Sequence, residues 1–387
     1  MDFDKVVNRR GTYAIKWDYN KEFFGREDVL PMWVADMDFL SPKPVIDALK
    51  NRVGHGVFGY TERPESYYKA IIDWEEKRHG LKIQPEWILN SPGVVTSLAF
   101  AVDSCTDPGD RVLIQTPVYP PFYNVVKNNG RELVTNPLKM VEGHYEMDFD
   151  DLEEKFRSGV KMMILCSPHN PVGRVWTYEE LKTLVDMCSR YDVFLVCDEI
   201  HSDIVYKGYR HTSVLSISDW AAQNTITCIA PSKTFNIAGL TTSVAIIPNE
   251  VARKKFKAGM DRFHIENNLL GITALEAAYR YGGEWLDELI MYLGDNLRLL
   301  SDCIDSEVPG VKLVVPEGTY LAWLDFRALG MDDDELKSFI IHKAGLGLND
   351  GPSFGIDGSG FQRLNFACPR SILEEGLSRL SKAIKCL

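Results

Sequence analysis

Three short apolar runs set the pattern of the chain's middle: Met162-Met163-Ile164-Leu165-Cys166, Val193-Phe194-Leu195-Val196-Cys197 and Thr225-Ile226-Thr227-Cys228-Ile229. The first two hold no polar residue and the third only two threonines, which predicts strands buried on both faces of a parallel sheet. Each runs straight into a polar segment: Ser167-Pro168-His169-Asn170-Pro171-Val172-Gly173, then Asp198-Glu199-Ile200-His201, then Pro231-Ser232-Lys233-Thr234. Ligands of open α/β sheets sit just past the carboxyl ends of the strands. Asn170, Asp198, His201 and Lys233 are therefore expected to converge on one ligand, although they are far apart in sequence.

Upstream, Ser41-Pro42 reads as a helix start with proline at the first helical position. A helical pattern over 64–79 stops at Gly80, a natural residue after a helix end. Residues 87–91 read as a strand, Pro92-Gly93 as a turn and 94–105 as a helix. A further strand at 111–114 leads into Thr116-Pro117-Val118-Tyr119-Pro120. Downstream, Thr177-x-x-Glu180 is a capping box for the next helix. Strands alternating with helices across 87–247 predict a mainly parallel, doubly wound sheet, hence an α/β fold. From about 250 to 305 the period is helical, with one long helix over 284–304. The last hundred residues return to strands, at 312–315, 319–326 and 361–366. A closing helix starts at a second capping box, Ser371-x-x-Glu374, and carries Leu373, Leu377, Leu380 and Ile384 on one face.

A chain of 387 residues exceeds one ordinary core, so two domains are expected. Its net charge of −12 argues against a nucleic-acid surface, and the basic run at 253–257 reads as a solvated helix face. The eight cysteines show no CxxC pair and no zinc-like spacing with histidine, which suits a reducing cytoplasm. The charged Met1-Asp2-Phe3-Asp4-Lys5 lacks a signal-peptide core, and no apolar run approaches the roughly 18 residues of a membrane span. A cytoplasmic protein is the expectation.

The chemistry narrows the choice further. A buried lysine is costly unless its amine is neutral or covalently used, and a buried carboxylate needs a cation. Pyridoxal phosphate answers both, since its aldehyde takes a lysine and its protonated ring nitrogen faces an acid. Taken singly, Lys233 also fits a solvated lysine and Asp198 a helix cap. Gly93, Val94 and Val95, between a strand and a helix N-terminus, form a candidate phosphate site. Tyr119 is placed to stack on a ring, or simply to pack in a stiff loop. Arg363 alternates with apolar residues in its strand and suits either an ion pair or a carboxylate clamp. Metal chemistry on the Asp198 to Asp203 stretch lacks a second ligand cluster.

Together, the segments 167–173, 197–203 (Cys-Asp-Glu-Ile-His-Ser-Asp) and 232–236 (Ser-Lys-Thr-Phe-Asn) resemble the pyridoxal-phosphate enzymes of fold type I, the aspartate aminotransferase-like class I/II aminotransferase family. Pro31-Met32-Trp33-Val34-Ala35-Asp36-Met37-Asp38-Phe39 and Arg363-Leu364-Asn365-Phe366-Ala367-Cys368-Pro369-Arg370 are similar to its MalY/PatB-type branch of cystathionine β-lyases, or carbon-sulfur lyases. The resemblance implies a large cofactor-binding domain over 46–284 and a small α+β domain formed by 1–45 and 285–387. It implies a homodimer, with Tyr60 reaching the neighbouring subunit's cofactor phosphate and substrate. Lys233 would anchor the cofactor and move the Cα proton, Asp198 would face the ring nitrogen, and Asn170 and His201 the ring's 3′-oxygen. Ser232 would join Gly93, Val94 and Val95 at the phosphate, and Arg363 would clamp the substrate carboxylate. Residues 33–39 would line the substrate entrance, with no proton-transfer role for Asp36. The implied reaction is β-elimination from cystathionine or a similar cysteine S-conjugate. An aminotransferase on the same scaffold, or a regulatory protein retaining the fold, are the alternatives. Two positions depart from the aminotransferase pattern: His201 stands where a tyrosine is common, and Thr241 where a phosphate-binding arginine is common.

Overall fold

In the computed structural model, which describes residues 1–265 and 268–387, the three central runs form adjacent strands of a seven-stranded sheet. Its strands are β1 Ile88–Ser91, β2 Arg111–Thr116, β3 Glu132–Pro137, β4 Val160–Cys166, β5 Phe194–Asp198, β6 Thr225–Ile229 and β7 Ser243–Ile246. They lie in the order β1-β7-β6-β5-β4-β2-β3. β7 runs against both neighbours, and the other pairings are parallel. The largely apolar make-up of β4 to β6 has a simple cause, because both faces are covered. Met162 and Ile164 enter an apolar cluster with helices Val94–Cys105 and Glu250–Asp261, while Met163 and Leu165 enter another with helices Phe149–Arg157 and Tyr178–Tyr191. Burying each such side chain contributes about 1.5–3 kcal/mol.

This topology fixes where chemistry can happen. Cys166 pairs with Asp198, and Asp198 with Cys228, so β4, β5 and β6 end level with one another. The reversed β7 makes β1 run the same way as β6. The turn after β1 and the residues just before β7 therefore reach the same edge as the loops after β2, β4, β5 and β6.

A second, antiparallel sheet contains β8 Lys312–Val314, β9 Leu321–Asp325, β10 Asn349–Asp350 and β11 Phe361–Asn365 in the order β8-β9-β11-β10. Helix Gly283–Glu307 packs on β8 and on the closing helix Arg370–Ile384. The N-terminal segment joins this region through Leu30–Pro31, which pairs in parallel with Leu346–Gly347. One apolar cluster runs from Ile88 and Val244 in the large sheet to Leu324 and Leu364 in the small one.

The predicted elements form with local differences. The first long helix starts at Lys43, so Pro42 precedes it and Pro44 sits in its first turn. Thr177 and Glu180 make both bonds of their capping box. Ser371 and Glu374 do not: the helix begins at Arg370 after Pro369, so Ser371 is already inside the first turn and has no free amide ahead of it to cap. A capping box forms instead at Asp332 and Glu335. The helical stretch from 250 divides into Glu250–Asp261, Leu269–Tyr281 and Gly283–Glu307; its residues 266 and 267 lie outside the described residues.

Candidate active site

At the shared strand edge lies a cavity of about 350 Å³. Asp198, Asn170, His201 and Lys233 all line it, as do Ser232, Tyr119 and the turn Gly93, Val94 and Val95. Thr241 and Thr242, just before β7, complete the same wall. Two of the residues picked out in the sequence lie elsewhere. Arg363 stands behind the wall, and Tyr60 is fully exposed and away from this chain's own cavity.

Lys233 sits on the one-turn helix Pro231–Thr234 that follows β6, and its Nζ donates to the Ala35 carbonyl at 2.7 Å. Burial pulls its pKa down to about 8, with the charge of Asp36 acting the other way. Asp198 ends β5 and is 5% exposed, and burial pushes its pKa up to about 7. Its Oδ1 accepts one hydrogen bond, from the Ile200 backbone N–H at 3.1 Å. Burial also lowers His201, to about 3, so the ring is neutral, and its Nδ1 is buried without a hydrogen-bond partner.

Asn170 is held in a loop that closes tightly. The Gly173 N–H donates to the His169 carbonyl at 2.7 Å, and Gly173 has φ +75°. A Cβ there would lie 2.4 Å from Pro316 Cβ, so glycine is needed both for the turn and for this close approach. Arg363 lies mid-strand in β11, between Trp323 and Asn349. Its guanidinium donates to Asn170 Oδ1 at 2.9 Å, the Trp33 carbonyl at 2.9 Å and Asn349 Oδ1 at 2.7 Å, over the Phe354 ring. These acceptors are all neutral, Arg363 forms no ion pair with a described residue, and its Nε is buried without a partner. A buried cation so placed is matched to an incoming carboxylate. Since Arg363 occupies the Asn170 oxygen, the Asn170 amide N–H groups are left as donors.

The opposite side of the cavity suits a phosphate. Helix Val94–Cys105 begins after Gly93 with no side chain capping it, leaving its first N–H groups for an anion. A Cβ on Gly93 would meet nothing within 4 Å, so the turn is open to a ligand. A lysine near neutrality, an acid with no ion pair to a described residue, an unpartnered imidazole nitrogen and an anion-ready helix start together fit pyridoxal phosphate. Among the described residues, no group of three or more His, Cys, Asp or Glu could hold a metal ion.

The family model for aminotransferase class I and II matches residues 27–380. The chain belongs to the class I and II aminotransferase family. Within this family it is 47% identical to cystathionine beta-lyase PatB of Bacillus subtilis (strain 168), over 99% of this chain and all of that protein. The crystal structure of cystalysin from Treponema denticola, which contains a pyridoxal 5′-phosphate cofactor, superposes with a TM-score of 0.96 at 41% identity, covering 100% of this chain and 99% of that one. The pyridoxal-phosphate-bound C-S lyase of Staphylococcus hominis gives 0.92 at 35% identity, covering 99% and 98%. The match to this family bears out the resemblance read from the motifs, and the α/β fold read from the strand pattern.

Some of the site escapes sequence reasoning. The Ala35 carbonyl beside Lys233 is a backbone group with no signature of its own. Cys166 and Thr96 line the cavity without any motif beyond their strand end and helix start. Behind the wall, Glu75, His79, Glu199, Asp203 and His211 form a buried cluster brought together from three segments of sequence.

Proposed function

We propose that this chain is a pyridoxal-phosphate-dependent carbon-sulfur β-lyase acting on L-cystathionine or related cysteine S-conjugates. The observation that carries the reading is the pairing of Lys233 and Asp198 on one cavity, each driven by burial toward its neutral form. The relatives named as cystathionine beta-lyase and C-S lyase support it over their full length.

When bound, pyridoxal phosphate supplies an aldehyde for an amine and an electron-accepting ring. Lys233 anchors it, and once released is the base for the Cα proton, because a desolvated amine near pKa 8 is partly unprotonated at neutral pH. Asp198 would stabilise a proton on the ring nitrogen, and the Asn170 amide and His201 would donate to the ring's oxygen. Gly93, Val94, Val95 and Ser232 would hold the phosphate, Tyr119 would stack on the ring, and Arg363 would grip the substrate carboxylate. With the Cα proton on Lys233, the Cβ–S bond breaks and the sulfur leaves as thiolate. One water enters overall, and thiol, pyruvate and ammonia depart.

The proposal includes a homodimer in which Tyr60 completes the neighbour's site. Exposed Val53, Val57 and Phe58 beside Tyr60 are apolar surface that a second copy would cover. It also assigns 46–284 to a cofactor-binding domain and 1–45 with 285–387 to a smaller one, on the strength of their separate sheets. All eight cysteines are free thiols, which supports a cytoplasmic setting. No helix among the described residues is long and apolar enough to cross a membrane.

The deciding assay is incubation of purified protein with pyridoxal phosphate and L-cystathionine without any keto acid. Pyruvate and ammonia in equal amounts are expected. Turnover strictly dependent on an added keto acid would make it an aminotransferase, and cofactor binding with neither reaction would favour a regulatory role.

A further inference from the structure

The residues next to the two key groups turn away from the cavity into a second layer. Thr234, which follows Lys233, is 1% exposed and donates from Oγ1 to Asp203 Oδ2 at 2.8 Å. Asp203 also accepts from His79 Nε2 at 3.0 Å and from Trp74 Nε1 at 3.1 Å. Glu199, which follows Asp198, is 1% exposed and accepts from His211 Nε2 and the Val214 N–H at 3.1 Å and from Ser213 Oγ at 3.2 Å. The two histidine rings meet edge to face, with centroids 5.4 Å apart. Glu75 completes the cluster beside His79.

Burying this many ionisable groups in one place is an expensive way to build a core, since apolar residues of similar volume are often as stabilising or more so. What the arrangement provides is direction. Each hydrogen bond fixes an acceptor at one angle, and the bonded residues flank Lys233 on one strand end and Asp198 on the next. Loops on separate strands, left to apolar packing alone, would hold those groups less exactly in register. A displacement of 1 Å in such a site costs about 10²-fold in rate.

We propose that Asp203 is the positioning residue for Lys233, acting through the Thr234 hydroxyl, inside a buried brace that also anchors the strand end carrying Asp198. This rests on the reading of Lys233 as the reactive amine. Three charged groups face that amine from neighbouring elements: Asp36 of the entrance segment, Arg363 of β11 and Asp198 of β5. None belongs to the brace, so a change at Thr234 leaves them chemically intact.

The test compares Thr234→Val, which keeps the volume but removes the donor, with Thr234→Ser, which keeps the donor. On the cofactor-free chain, the pH midpoint for acylation of Lys233 is read by peptide mass spectrometry. On the loaded enzyme, kcat and KM for L-cystathionine are measured. Thr234→Val should move the midpoint up from about 8, toward the ordinary lysine value of 10.5, and lower kcat roughly 10- to 100-fold with KM within about twofold. Thr234→Ser should stay near wild type in both. Wild-type values in Thr234→Val would overturn the brace, as would equal damage in both variants, since the hydroxyl would then be irrelevant. If the wild-type chain takes up no pyridoxal phosphate, the lyase reading fails, and the midpoint comparison still decides the brace.

Discussion

Asp198→Asn should make the cofactor-free protein more stable at pH 8 while disabling it. The Asp198 carboxyl titrates near pH 7 in the folded chain against an ordinary value of 3.8, because burial opposes its charge. A folded pKa raised in this way adds stability that is complete below pH 3.8 and is lost as pH rises through 7. At pH 8 the native state therefore carries the whole cost of the buried charge. Three pKa units at 1.36 kcal/mol each set an upper limit of about 4 kcal/mol. That shift is already net of the positive charge on Lys233, which lowers the Asp198 pKa. The expected gain for Asp198→Asn is thus about 2–4 kcal/mol at pH 8, shrinking toward zero near pH 4. Asparagine keeps an oxygen to accept from the Ile200 N–H, and its new amide N–H groups stand in place of the second carboxylate oxygen, on the cavity that Asp198 lines. Urea unfolding of both proteins at one concentration, at pH 4, 6 and 8 without pyridoxal phosphate, gives the difference directly. With cofactor and L-cystathionine, the variant should lose on the order of 10²-fold or more in rate. Equal or lower stability of Asp198→Asn at pH 8 would refute the claim that this acid is held against its own solvation.

Other expectations follow from the same geometry. Lys233→Ala should lose at least about 10³-fold in turnover, along with the absorbance of covalently held cofactor, as checked by pyruvate assay and spectrum. Arg363→Lys keeps the charge but not the fork that spans Asn170 and Asn349, so kcat/KM for L-cystathionine should fall roughly 10- to 100-fold, mostly through KM. Gly173→Ala combines a left-handed φ with a 2.4 Å approach to Pro316 and should cost about 2–4 kcal/mol in urea unfolding, with activity lost as the Asn170 loop shifts.

The convergence of Asn170, Asp198, His201 and Lys233 on one cavity was legible in the sequence because each belongs to a contiguous run. β4, β5 and β6 announce themselves by largely apolar stretches, and each delivers its polar residue within a few positions of the strand end. Arg363 was harder, since an arginine alternating in a strand looks the same whether it meets a carboxylate or an amide. Only the neutral partners Asn170, Asn349 and the Trp33 carbonyl separate those cases. The brace was not legible at all. Asp203 meets Trp74 and His79 across more than 120 residues of sequence, and local pattern carries no trace of such a contact. Ser371 shows the opposite failure: a correct capping motif was displaced because Pro369 takes the cap position and starts the helix two residues too early for it. Tyr60 has its proposed target in another copy of the chain, so nothing within one copy marks its role.

The opposed shifts of Lys233 and Asp198 have one cause and one consequence. Burial disfavours charge on both, so an amine moves down and an acid moves up until the two values nearly meet. Two such groups would ordinarily relieve each other by forming an ion pair, and each does feel the other's charge. Yet Lys233 spends its hydrogen bond on the Ala35 carbonyl, and Asp198 receives one from the Ile200 N–H. They face the cavity from successive strand ends without joining, held there by neighbours that turn into the layer behind. A ligand that brings a cation to the acid and a carbonyl to the amine relieves both at once, whereas one offering a single functional group leaves half the cost in place. That requirement, more than the presence of either residue, selects a ring with a protonated nitrogen at one end and an aldehyde at the other.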